Sequence, residues 1–292
     1  MGSIDRLGWA DAIAANCFGV RIGIRTTQAG FARSLEDLLP RDHKATSART
    51  VERLYSLVVR GSGRRANRQP LNVLYRGTQR LAQEREISPV LKILQTEIRR
   101  EVAEAAPRRV FVHAGIVEWR GRAIIIPGRS MSGKSTLVAE MVKLGATYYS
   151  DEYAVFDEKG LAHPFAKPLS LREPGSYEAI DHEVAEFGGT TGSKPIPVGL
   201  IAVTRYVPGT QWSARELTRG QGLLALLSHA IAARRKPGRV MQTLNRAVVQ
   251  TTVLKSIRGE AWETAQALLA QVECSNAASG RIIALIANTG RS

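Results

Sequence analysis

Eight consecutive residues concentrate the chemistry of this chain. Gly128-Arg129-Ser130-Met131-Ser132-Gly133-Lys134-Ser135 fits the pattern G-x-x-x-x-G-K-[ST], and it lies between an apolar run, Ala123-Ile124-Ile125-Ile126, and a stretch patterned as a helix. In such a loop the glycines let successive backbone N–H groups turn inward around a phosphate, and the following helix adds the partial positive charge of its N-terminus. Lys134 then reaches the β- and γ-phosphates, and the Ser135 hydroxyl can ligate Mg²⁺. Gly128, Arg129, Ser130, Met131, Ser132, Gly133, Lys134, Ser135 and Thr136 are therefore the expected nucleotide-contacting residues, and ATP with Mg²⁺ the expected ligands.

A metal beside a phosphate calls for a carboxylate. Asp151 and Glu152 follow in Tyr148-Tyr149-Ser150-Asp151-Glu152-Tyr153-Ala154-Val155, and adjacent acids inside an apolar strand are costly to bury without a cation or a hydrogen-bond network. On a regular strand they point to opposite faces, so both serve one site only at a strand end or bulge. His113 precedes the loop in Val112-His113-Ala114-Gly115; by itself, a lone histidine of this kind is usually structural.

These residues need a frame. Val110 to Trp119 and Gly121 to Pro127 read as two strands joined by a tight turn at Arg120-Gly121. A helix is predicted from Lys134 to about Leu144, stopped by Gly145, followed by a strand over Thr147 to Phe156 and another over Leu200 to Tyr206. Helices are expected to begin near Thr218, Arg239 and Glu260, with a strand over Val249 to Lys255. Upstream, strands are predicted over Phe18 to Arg25, Val51 to Arg60 and Leu71 to Arg76, and a short helix over Ala29 to Leu39. A longer helix opens at Ser88-Pro89, with Ser88 as its cap and Leu91, Leu94, Ile98, Val102 and Ala105 on one face. The segment up to about Ala106 forms a small α/β lobe, and a strand-dense α/β domain follows.

Composition bounds the reading. The chain has 292 residues, 44% hydrophobic and 23% charged, which excludes collagen, coiled coil and wholesale disorder. Cys17 and Cys274 are its two cysteines, too few for a disulfide framework or a thiolate cluster and in keeping with a reducing cytoplasm. The first fifteen residues are interrupted by Asp5, Arg6 and Asp11, unlike a signal peptide, and no segment approaches the roughly 20 apolar residues of a membrane span. A soluble, cytoplasmic protein without a membrane partner is expected. The formal charge of +15 attracts polyanions. Arginines crowd the first half, among them Arg60, Arg64, Arg65, Arg68, Arg76, Arg80, Arg99 and Arg100, and such a surface would help dock an acidic acceptor. Aromatics are sparse at 6%, and no stacking platform, zinc finger or helix-turn-helix is visible, so nucleic acid is not favoured.

Taken together, His113-Ala114-Gly115, the loop from Gly128 to Ser135 and the pair Asp151-Glu152 resemble the histidine-glycine, P-loop and paired-aspartate elements of the HPr kinase/phosphorylase family. The resemblance implies a P-loop core related to phosphoenolpyruvate carboxykinase over residues 107–292, with the smaller α/β lobe over 1–106. It implies transfer of the γ-phosphoryl of ATP to a serine hydroxyl of a small protein or peptide. Carried over by position, Lys134 and Ser135 serve phosphate and metal, His113 lies in the active site, Asp151 is the metal-side carboxylate and Glu152 the proton acceptor. The sequence departs from the family where Thr136 replaces an acid and Glu152 an aspartate. The family's downstream glycine-rich signature is not recognisable in Leu169-Ser170-Leu171-Arg172-Glu173-Pro174-Gly175, where Arg172 and Glu173 are the candidates to substitute. Arg205 is a further candidate phosphate contact, and Lys236-Pro237-Gly238-Arg239 is weakly similar to a late loop of the family. The chain looks more similar to divergent members that act on peptides, such as those tailoring lasso peptides. A small-molecule kinase on the same core and a nucleotide-binding regulatory module stay open, as does a homo-oligomer.

Overall fold

The computed structural model describes residues 3–48, 50–59, 71–172 and 178–274. The chain is mixed α/β and divides into two compact units, Met1–Arg108 and Arg109–Ser292. Among the described residues no helix is long and apolar enough to cross a membrane.

The first unit is a six-stranded sheet with one long helix. Its strands are β1 (Asp11–Cys17), β2 (Val20–Thr26), β3 (Lys44–Ala45), β4 (Arg53–Val58), β5 (Asn72–Arg76) and β6 (Gln79–Glu84), in the order β3-β1-β2-β4-β5-β6. Phe18 and Gly19 both have positive φ, 52° and 88°, and form the two-residue turn between β1 and β2. The strand expected from Phe18 therefore starts at Val20. Its partner β1, an alanine-rich segment without clear alternation, was not expected. The helix expected over Ala29 to Leu39 is a 3₁₀ helix, Ala32–Leu38.

Helix α1 (Ile87–Ala105) buries Val90, Leu94, Ile98 and Val102, a stripe at helical spacing. Leu91 and Ala105, expected on that face, are half-buried at its margin. Its N-cap is Glu86 rather than Ser88, because Ile87 and Ser88 already take helical positions ahead of Pro89. Glu101 on this helix is buried among arginines: Arg53 at 2.5 Å, Arg76 at 2.6 Å and Arg100 at 3.2 Å. Arg76 and Arg100 also pair with Glu97. Of the arginines noted in this region, Arg76 and Arg100 are thus neutralised internally. Arg60, Arg64, Arg65, Arg68 and the loop expected over 61–65 lie outside the described residues, as does the apolar run over 282–286.

The second unit is built on β7 (Val110–Trp119), β8 (Arg122–Pro127), β9 (Thr147–Ser150), β10 (Tyr153–Phe156), β11 (Ala162–His163), β14 (Val198–Tyr206), β15 (Ser213–Glu216) and β16 (Thr252–Arg258); β12 (Leu169–Arg172) and β13 (Ala179–His182) form a separate hairpin. The large sheet runs β11-β10-β7-β8-β14-β16-β15, with β9 also on β7. Arg120 and Gly121, with φ of 52° and 75°, make the tight turn between β7 and β8. β8, β14 and β16 are mutually parallel, so their carboxyl ends lie at one edge of the sheet. Helix α2 (Lys134–Lys143) and a helix over 261–274, α5, cover one face, packing on Ile124, Ile126, Leu200 and Leu254. Helices α3 (Arg219–Leu227) and α4 (Pro237–Val248) cover the other, on Ile125, Ile201 and Val253. The strand expected from Val249 begins at Thr252, because α4 runs on to Val248 and Val249 is its helical C-cap.

The strand expected over Thr147 to Phe156 is two strands. Ser150 Oγ accepts from the backbone N–H of both Glu152 and Tyr153, each at 3.1 Å, and this turn separates β9 from β10 at the acidic pair.

Helix α2 crosses β7 at Gly115. A Cβ there would lie 2.7 Å from Val138 Cγ2 and 3.6 Å from Lys134 Cβ, so only glycine admits the close approach. Gly115→Ala is expected to destabilise the unit by about 1–3 kcal/mol, the cost of overpacking a filled core. Urea denaturation measures it, and an unchanged midpoint would show that α2 can shift freely.

Candidate functional site

Between β8 and α2 the glycine loop stands at the shared carboxyl ends of the parallel strands, where open α/β sheets place their ligand crevices. Three features shape it. A Cβ on Gly128 would lie 2.7 Å from Ser132 Oγ. Met131 adopts φ 65°, a conformation unusual for a side-chain-bearing residue, and is 71% exposed. Gly133 has φ 77°, and a Cβ there would lie 2.5 Å from Arg258 Nη2.

Lys134 opens α2 and is buried at 8% exposure; its Nζ donates to the Arg129 carbonyl at 2.6 Å. Burial lowers the Lys134 pKa, against the opposing pull of Asp151 and Glu152. Arg258, from the far end of β16, is 3% exposed and donates through Nη2 to the Ser132 and Gly133 carbonyls at 3.3 and 3.2 Å. Among the described residues its Nε is buried without a hydrogen-bond partner, and its guanidinium lies 5.3 Å from the Tyr206 ring. Burial lowers the Arg258 pKa as well. Among the described residues neither cation has a carboxylate in ion-pair contact.

The acidic pair divides at the strand break. Asp151 is buried, and its Oδ2 accepts from Ser135 Oγ at 2.8 Å and from the Ser170 N–H at 3.4 Å. Its Oδ1 accepts from Tyr148 Oη at 2.9 Å and lies 2.8 Å from Lys167 Nζ. Burial, then Asp151, pushes the Tyr148 phenol well above its ordinary pKa. Lys167 is itself buried, and donates also to Ser170 Oγ at 3.0 Å and the Pro168 carbonyl at 3.1 Å; Ser170 Oγ in turn donates to Asp181. Glu152 is half-buried, its backbone carbonyl accepting from the Ala114 N–H at 3.2 Å, and its charge acts on both His113 and Lys134.

The His113 ring stacks on Tyr153 at 4.8 Å, and its backbone carbonyl accepts from the Gly128 N–H at 3.2 Å, tying β7 to the loop. Its own N–H donates to the His229 carbonyl at 2.9 Å. Burial lowers the pKa of His113, partly offset by a hydrogen bond and charge from Glu152. Burial also lowers that of His229, helped by Lys134, His113 and Arg129. Both native values lie below the ordinary 6.5, so the unfolded chain binds the extra protons. The stability these neutral imidazoles contribute is complete above about pH 6.5 and is lost as pH falls toward the native values. The thermal midpoint should therefore drop between pH 7.5 and 5.5, and drop less in a His113→Gln/His229→Gln protein; equal drops would remove these histidines as the cause.

The loop residues, Lys134, Ser135, His113, Asp151 and Glu152 thus gather in one place, and Thr136 follows in the first turn of α2. Arg205 does not join them. It is exposed, and by strand register lies on the sheet face opposite Arg258. Arg172 is exposed at the end of β12, Glu173 lies outside the described residues, and Lys236–Arg239 forms the start of α4. Sequence reasoning missed Lys167, Arg258 and His229. The one local signal was at Arg258, a charge on the strand face that carries Leu254 and Ser256, but the strand was expected to end at Lys255.

Comparison with known proteins finds no family model that matches this chain and no match among curated proteins.

Proposed function

We infer that the second unit is a P-loop kinase that transfers the γ-phosphoryl group of ATP to a hydroxyl, most simply a serine on a peptide or small protein. The observation that carries this reading is the pair of buried cations, Lys134 and Arg258, resting on carbonyls of a glycine loop at the start of a ten-residue helix. Buried cations call for an anion, and a triphosphate chain supplies one. The resemblance to the HPr kinase/phosphorylase family, carried by His113-Ala114-Gly115, the loop and the acidic pair, points the same way.

The donor set also fits a divalent cation: Ser135 Oγ and an Asp151 oxygen meet at 2.8 Å, and hydroxyl with carboxylate suits Mg²⁺, whose remaining ligands are water and phosphate. Ser135 and Asp151 would hold it, and it supplies neutralisation of phosphate charge. The chain's own residues do the rest. Backbone N–H groups of the loop and α2 orient the terminal phosphate, and Lys134 leaves the Arg129 carbonyl to meet it. Arg258 fixes the loop from behind. Glu152, beside Lys134, orients the acceptor hydroxyl and takes its proton.

Incubation with γ-labelled ATP, alone and with extract fractionated by size, tests the reading. A labelled peptide or small protein is expected. Label only on a small molecule would shift the acceptor class, and release of phosphate without acceptor label would support a regulatory nucleotide-binding module. One observation favours that second reading: Lys167 already occupies an Asp151 oxygen at 2.8 Å, where it competes with a metal.

A further inference from the structure

The opposite face of the same sheet carries an unneutralised basic groove. Parallel pairing places Arg205 beside Ile257 and Val203 beside Lys255, and antiparallel pairing places Ser213 beside Ile257 and Arg215 beside Lys255. Because strand side chains alternate between faces, Arg205, Arg215, Lys255, Ser213 and Ile257 all point to one side. They line a cavity of about 470 Å³. The three cations are exposed, and Ile257, 42% exposed, supplies apolar surface between them. Among the described residues none of these cations makes an ion pair, whereas Arg76 and Arg100 of the first unit are spent on Glu97 and Glu101. The nearby acids face away: Glu216 alternates to the other side of β15, and Glu260 accepts from Tyr206 Oη there.

We propose that this groove docks an extended acidic peptide that adds as a strand to the free edge of β15. Charge complementarity selects the sign of the partner. The edge selects the peptide: β15 ends the sheet order, all four of its residues are exposed, and no described strand pairs with its outer side. An added strand hydrogen-bonds to that edge through its main chain, and its side chains on the groove side stand beside Arg215, with Lys255 one strand further in and Arg205 beyond it. Among the described residues the lining has no aromatic ring on which bases would stack, which disfavours single-stranded nucleic acid. Ile257 of the groove is followed by Arg258, which holds the glycine loop, so β16, separated from the docked peptide by β15, carries contacts to both groove and loop. That the peptide is the acceptor rests on the kinase reading; that it docks here does not.

The test is direct binding by the full chain. A fluorescent peptide of alternating Glu and Val, its Glu-to-Lys counterpart and a short DNA of equal charge are titrated against wild type and an Arg205→Ala/Arg215→Ala/Lys255→Ala protein. The Glu peptide is expected to bind, more weakly as salt rises, and to lose about tenfold or more in the variant, a scale of a few surface charge contacts. ATP binding by the variant should be unchanged, and Lys134→Ala should leave peptide binding intact while abolishing transfer. A Glu peptide methylated on alternate backbone nitrogens should bind poorly. Equal binding by wild type and variant, equal binding of the Lys peptide, binding of DNA but not peptide, or undiminished binding of the methylated peptide would each overturn the proposal.

Discussion

Lys134→Ala is expected to fold at least as stably as the wild-type protein and to lose phosphoryl transfer by about 10²-fold or more, the scale for removing one preorganised charge contact from a transition state. The two halves of this expectation have one cause. Lys134 is buried with its ammonium on the Arg129 carbonyl, and burial lowers its pKa, so the protein holds a desolvated charge whose removal relieves a cost. Alanine also keeps the start of α2 intact, since its helix propensity is the highest. A thermal midpoint that stays level or rises while transfer disappears is the signature of an anion site maintained at the expense of stability. Lys134→Arg should not restore activity, because a planar fork cannot replace a compact ammonium there. Unchanged transfer in a folded Lys134→Ala protein would reject the P-loop assignment.

The second large effect separates the acidic pair. Glu152→Gln should leave ATP binding nearly intact and depress transfer by roughly 10²- to 10⁴-fold, the scale for losing a general base. Asp151→Asn should act differently, on metal and on fold together. It raises the Mg²⁺ concentration required, because Ser135 loses its partner carboxylate, and it leaves the buried Lys167 ammonium without its carboxylate, a loss of about 3–5 kcal/mol for breaking a buried pair. An Asp151→Asn/Lys167→Met protein should recover much of that stability, because no charge is then left buried alone, without recovering normal Mg²⁺ dependence. Nucleotide titrations, single-turnover transfer and urea denaturation distinguish the variants. Normal transfer by Glu152→Gln, with Asp151→Asn binding Mg²⁺-ATP but failing to transfer, would reverse the two roles.

What could be read from the chain alone was what short-range physics decides. Arg120-Gly121 makes its hairpin because two neighbouring residues accept positive φ. The loop and α2 follow from glycine spacing, a buried apolar run and a helix stop at Gly145, and α1 from apolar residues recurring at helical spacing. Each signal lies within a few residues of the structure it specifies. The tertiary structure decided what the charges do. The strand expected through Asp151 and Glu152 breaks because Ser150 caps a turn between two segments that both pair with β7, so the two acids part company. Arg258 meets the loop from 125 residues away, and Lys167 meets Asp151 after the chain has passed through β10 and β11, a return that no pattern announces. The arginines of the first half looked like one basic surface. Arg53, Arg76 and Arg100 are instead tied to glutamates of α1, and a basic groove without ion pairs among the described residues forms where strand register aligns Arg205, Arg215 and Lys255. A charge has no role until its neighbours are known, and neighbours across a sheet are set by pairing rather than by sequence distance.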